Sequence, residues 1–113
     1  MKVVDLKSLE QYLDFISQGT ALVLFHDIND KRPSVLKFFE KMKDMLHLVN
    51  AGNMKLTKEL CQEVEIIKVP QLKLFKNGCE ISSIIGIPKE KTMLALLNRM
   101  EEKNAAKKRN RGN

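Results

Sequence analysis

The stretch "VPQLKLFKNG", Val69 to Gly78, decides the fold. Gln71 to Lys76 alternates apolar and polar residues, which predicts a strand with one face turned inward. Asn77-Gly78 follows, and both positions of a two-residue hairpin turn need positive φ, which this pair tolerates best. Glu80 to Ile85 then reads as the return strand, giving an antiparallel hairpin. Pro70 lacks an N–H and stands just before the first strand, where no ladder donor is lost.

Toward the C-terminus, Gly86 breaks the return strand. Pro88 is expected to open a final helix with Met93, Leu96, Leu97 and Met100 inward. Toward the N-terminus, Leu56 to Val64 reads as a short helix with Leu56, Leu60 and Val64 on one face, and Leu46 to Asn50 as a strand. Before these lies a junction, "FHDINDKRPSVLKFFEKM", Phe25 to Met42. Ala21 to Phe25 is apolar throughout, as expected of a strand buried on both faces. Val35, Phe38, Phe39, Met42, Met45 and Leu46 form a helical stripe after the junction, with Asp30 as expected N-cap and Pro33 in the first turn. Ser8-Leu9-Glu10-Gln11 reads as a capping box. Leu9, Tyr12, Leu13 and Ile16 follow at helical spacing, and Gly19 ends that helix. Val3-Val4 is a short strand candidate.

The order β-α-β-α-β-α-β-β-α combines an early parallel βαβ unit with a late antiparallel hairpin. It predicts an α/β architecture: a mixed central sheet of four or five strands with helices on both faces. The expected organisation is one domain over residues 1–100 and a basic, disordered tail over 101–113.

With 113 residues, 43% of them hydrophobic, the chain can bury a core of its own. No apolar run approaches a membrane span. Met1-Lys2-Val3-Val4-Asp5 meets an acid at once and carries no signal-peptide apolar region, so an intracellular setting, cytoplasmic or nuclear, is expected. The net charge of +6 sits at the end of the chain. Residues 103–113 hold five basic residues and no acid, whereas the rest is near neutral, with 15 basic against 14 acidic residues. Such a tail can hold nucleic acid or an acidic partner through Lys107, Lys108, Arg109 and Arg111. Cys61 and Cys79 are eighteen residues apart and form neither a Cys-x-x-Cys nor a metal-ligand spacing. His26 and His47 stand alone. No metal and no cofactor is expected.

Over residues 1–100 the pattern resembles the thioredoxin family. The most specific part is Val69 to Gly78, similar to the family's segment around its cis-proline, strand and hairpin turn. The strand "ALVLF" and the helix after the junction match in order. The resemblance implies a thioredoxin-like fold and a cis bond at Pro70. It also implies where chemistry would sit. Dithiol exchange needs Cys-Gly-Pro-Cys at the junction: a nucleophile with a stabilised thiolate and a resolving partner. Aligning the prolines, with one extra residue before Lys31, places Lys31 and Ser34 at the two cysteine positions and Arg32 at the glycine. The preceding tryptophan is absent, and Leu24 stands where the family carries a buried acid. Neither Cys61 nor Cys79 maps to the motif.

The resemblance therefore implies a redox-inactive protein, not an enzyme, acting as a protein-binding module or adaptor. The expected site is the helix N-terminus with its degenerate motif Lys31, Arg32, Pro33 and Ser34, beside the loop at Val69 and Pro70. Such a loop pairs with an extended peptide through its backbone. Two cations at a helix N-terminus make an anion site, so the expected partner segment is acidic or extended. Two alternatives remain open: a nucleic-acid-associated protein led by the tail, and a glutathione-binding enzyme, for which Ser34 near the helix start and Pro70 speak.

Overall fold

The structure is a computed structural model and describes residues 2–99. The elements run β1 (Val3–Asp5), α1 (Leu9–Ile16), β2 (Thr20–Asp27), α2 (Pro33–Leu36), α3 (Phe38–Met42), β3 (Asn50–Leu56), α4 (Lys58–Val64), β4 (Gln71–Lys76) and β5 (Cys79–Ile85). Residues 90–99 are helical and are called α5. The tail and Met100 lie outside the described residues. No helix among the described residues is long and apolar enough to cross a membrane.

The five strands form one mixed sheet in the order β1-β3-β2-β4-β5. β1, β3 and β2 are mutually parallel, and β4 and β5 are antiparallel to their neighbours. β2 is central, and Ala21 to Phe25 are fully buried. Its alternation divides the core. Leu22 and Leu24 point to one face, joining Val35, Phe38, Phe39 and Met42 of α2 and α3, and Met93 and Leu97 of α5. Ala21, Val23 and Phe25 point to the other, joining Tyr12 and Ile16 of α1 and Val64 of α4. Tyr12 is edge-on to Phe25 and Phe75, with ring centroids 5.5 and 5.9 Å apart. A strand apolar on both faces therefore reads correctly as one covered on both faces.

Local chemistry explains several boundaries. The Ser8 hydroxyl accepts the Gln11 N–H at 3.1 Å, while the Gln11 side chain accepts from the Lys7 N–H at 2.8 Å, one residue before the usual capping-box partner. Asn77 and Gly78 both have positive φ, 49° and 87°, as the hairpin turn requires. Gly52 is needed for closeness: a Cβ there would lie 2.8 Å from the Phe15 ring and 2.9 Å from Leu6.

Other boundaries differ from the sequence reading. The helix after the junction is two pieces, broken at Lys37 (φ −102°, ψ 8°), and its N-cap is Arg32, not Asp30. The break keeps the apolar spacing of Val35, Phe38, Phe39 and Met42, so periodicity cannot reveal it. The third strand lies at Asn50–Leu56, not Leu46–Asn50; Leu46 and Val49 are buried from the connecting segment instead. Leu56 therefore ends a strand. α4 starts after Thr57, whose hydroxyl accepts the Leu60 N–H at 3.3 Å. Pro88 is buried before α5 rather than opening it, and the first α5 bond runs from the Met93 N–H to the Lys89 carbonyl.

Candidate functional site

The register brings the two expected halves of the site to one end of the sheet. Phe25 in β2 pairs with Gln71 in β4, and Gln71 pairs with Ile85 in β5. The chain leaving β2 toward Lys31 and the chain entering β4 through Pro70 therefore emerge at the same end of the sheet.

The junction is a run of side chain-to-backbone turns. The Asp27 carboxylate accepts the Asn29 N–H at 2.7 Å. The Asp30 carboxylate accepts the Arg32 N–H at 3.1 Å, and takes Nε and Nη2 of the same arginine at 3.0 and 2.7 Å. The guanidinium beside it holds the Asp30 carboxyl down at about 2. Its hydrogen bonds to Asp30 push the Arg32 pKa up in turn. Asp30 thus serves the residue that caps α2 instead of capping the helix itself.

This changes the electrostatic reading. Arg32 is neutralised by Asp30, and α2 has four residues, too few for a sizeable macrodipole. The expected two-cation anion site reduces to one cation: Lys31 is exposed and makes no ion pair among the described residues. Pro33 and Ser34 are also exposed. Ser34 borders a groove of about 380 Å³ shared with Phe38, Ile87 and Pro88.

At the second half of the site the Val69–Pro70 peptide is cis, and the Pro70 carbonyl accepts the Gly86 N–H at 2.7 Å. No hydrogen bond engages the backbone of residues 67–69 among the described residues. Ile67 is 95% exposed, Ile85 63% and Val69 37%. This apolar rim was missed in the sequence: Ile66 and Ile67 are identical neighbours, yet Ile66 is buried.

The two cysteines are free. Cys61 is half-buried on α4, and Cys79 is exposed at the hairpin, opposite Lys76. Leu24 is fully buried where the family resemblance places an acid. His26 is a core residue, with Nε2 3.0 Å from Asn53 Oδ1. The tail residues Lys107, Lys108, Arg109 and Arg111 lie outside the described residues.

No family model matches the sequence, and no curated protein matches it. Solved structures do. A thioredoxin from Trypanosoma brucei brucei superposes with a TM-score of 0.71 at 19% identity, covering 90% of this chain and 92% of that one. Thioredoxin f2 of Chlamydomonas reinhardtii gives 0.70 at 17%, covering 88% and 96%. A mutant thioredoxin from Halobacterium salinarum gives 0.70 at 16%, covering 87% and 89%. The chain has a thioredoxin-like α/β fold. It carries that fold without a Cys-x-x-Cys pair.

Proposed function

We propose that this chain is a redox-inactive thioredoxin-like protein that acts as an adaptor, holding an extended segment of a protein partner against the Lys31–Ser34 turn and the Val69–Pro70 loop. The observation that carries the reading is the open backbone of residues 67–69 within an apolar rim. Unpaired backbone N–H and C=O groups beside a sheet can hydrogen-bond an added strand, and exposed side chains along it give preference for particular residues. Ile67, Val69 and Ile85 favour apolar side chains in the partner. Lys31, unpaired at the same end of the sheet, favours an acidic neighbour.

Redox inactivity is supported by chemistry. Neither a lysine nor a serine can form or resolve a mixed disulfide, and the family resemblance puts Lys31 and Ser34 at those positions. The test is a displayed library of extended peptides selected on the wild-type protein. Recovered segments are expected to carry apolar residues next to acids, and to lose affinity for Ile67→Ser and, in low salt, for Lys31→Glu. Binding that both substitutions leave unchanged refutes the reading.

A further inference from the structure

On the face covered by α2 and α3, the sheet changes character along its length. The first row there is apolar: Val3, Ala51 and Leu22. The next is Asp5, Asn53 and Leu24, and the last is Lys55 with His26. These rows lie across β1, β3 and β2, so the polar rows fall at the C-terminal ends of three parallel strands. Ligands in open α/β sheets seat at those ends. A cavity of about 530 Å³ lies there, floored by the polar rows and roofed by α2 and α3. That is large enough for a small organic molecule.

The floor is fixed by hydrogen bonds. His26 is 2% exposed, with Nε2 3.0 Å from Asn53 Oδ1 and Nδ1 3.2 Å from the Asp27 carbonyl. The Asn53 amide in turn donates to Asp5 Oδ1 at 3.3 Å. This chain crosses three strands and holds the Asp5 carboxylate in place without neutralising it.

The charges are the informative feature. Asp5, Glu40, Lys43 and Lys55 all border the cavity, two of each sign. None is in an ion pair among the described residues. Opposite charges that share a cavity and do not pair are free to pair with a guest. Between them the roof is apolar: Phe39, and Leu36 at 53% exposure. A guest with only a carboxylate leaves the acids unanswered, and one with only an ammonium leaves the lysines unanswered. We propose that this cavity binds a free α-amino acid with a large apolar side chain. Its ammonium meets Asp5 and Glu40, its carboxylate meets Lys55 and Lys43, and its side chain lies against Phe39 and Leu36. The site is separate from the Val69–Pro70 loop and stands or falls independently of partner binding there.

The test follows amide chemical shifts while L-phenylalanine, hydrocinnamate (its acid without the amine) and phenethylamine (its amine without the acid) are titrated into the protein. Phenylalanine is expected to give saturable shifts at Asp5, Leu36, Phe39, Asn53 and Lys55, and to bind about tenfold more tightly than either analogue, as one charge-assisted contact warrants. Asp5→Asn keeps the shape and removes the charge. It should weaken phenylalanine toward the level of hydrocinnamate, with Glu40 still facing the ammonium, and should not weaken hydrocinnamate. Lys55→Gln should do the mirror image with phenethylamine. No saturable shift at millimolar phenylalanine, equal affinity for all three compounds, or indifference of both variants overturns the proposal.

Discussion

Replacing Leu24 tests both the packing and the loss of an acid at that position. Leu24 is fully buried in the middle of β2, among Leu22, Leu72 and Leu74 and beneath α2, α3 and α5. Leu24→Ala removes buried methyl groups and leaves a cavity that close-packed neighbours only partly fill, so it should cost about 2–5 kcal/mol. In a domain of this size that lowers Tm by roughly 10–30 °C. Leu36→Ala, on the exposed face of α2, should stay within about 0.5 kcal/mol of wild type. Leu24→Asp adds a test with a sign. A carboxyl introduced there is buried without a cation, so its folded-state pKa is raised above the ordinary value near 4. A raised pKa means that the folded state binds the proton more tightly. Stability relative to Leu24→Asn is then greatest at low pH and declines as pH rises through the raised value. The assay is urea unfolding followed by far-UV circular dichroism across pH. A Leu24→Ala cost below about 1 kcal/mol, well under the range for such a core truncation, would refute the packing. A Leu24→Asp variant that gains stability as pH rises would refute the closed, uncharged environment.

Other outcomes follow from single residues. Tyr12 is the one tyrosine of the chain, and burial, with Glu80 nearby, raises its pKa to about 12. Phenolate absorbance should therefore appear near pH 12 in the folded protein, and the stability contributed by this group should fall as pH rises from 10 toward 12. Gly52→Ala drives a methyl group into Phe15 and Leu6 and should destabilise by about 1–3 kcal/mol through overpacking, read by thermal unfolding. Carboxyl NMR should show Asp30 titrating near 2, so its pair with Arg32 holds above the ordinary carboxylate range and is lost as pH falls through about 2. Asp30→Asn frees Arg32 and should tighten binding of acidic peptides with a steeper salt dependence.

The elements legible in the sequence were those whose signal is local. The Asn77-Gly78 turn, the unbroken apolar run of β2 and the Ser8 cap each depend on a few adjacent residues, and the structure keeps all three. Leu46 and Val49 are buried from a connecting segment, and burial without periodicity looks like a strand, so the residue types alone point to a third strand earlier than Asn50–Leu56. Thr57 was the better sign of where α4 begins, since its hydroxyl caps the first turn. The site followed the same rule. Lys31 to Ser34 could be assigned to the junction, but the competition of Asp30 for Arg32 depends on a turn whose geometry is not written in residue types. Residues from separate strands were invisible: Asp5, Asn53 and His26 meet only through register, and no spacing along the chain links them. The exposure of Ile67 beside buried Ile66 likewise depends on where the chain turns after α4.

The central proposal is that this chain binds a partner segment and does not exchange disulfides. It is tested most directly by turnover of a peptide disulfide with the native protein and excess reductant, beside a Cys61→Ser/Cys79→Ser variant. The account predicts that both run at the rate of the reductant alone. Multiple turnovers by the native protein, abolished in the cysteine-free variant, would contradict it.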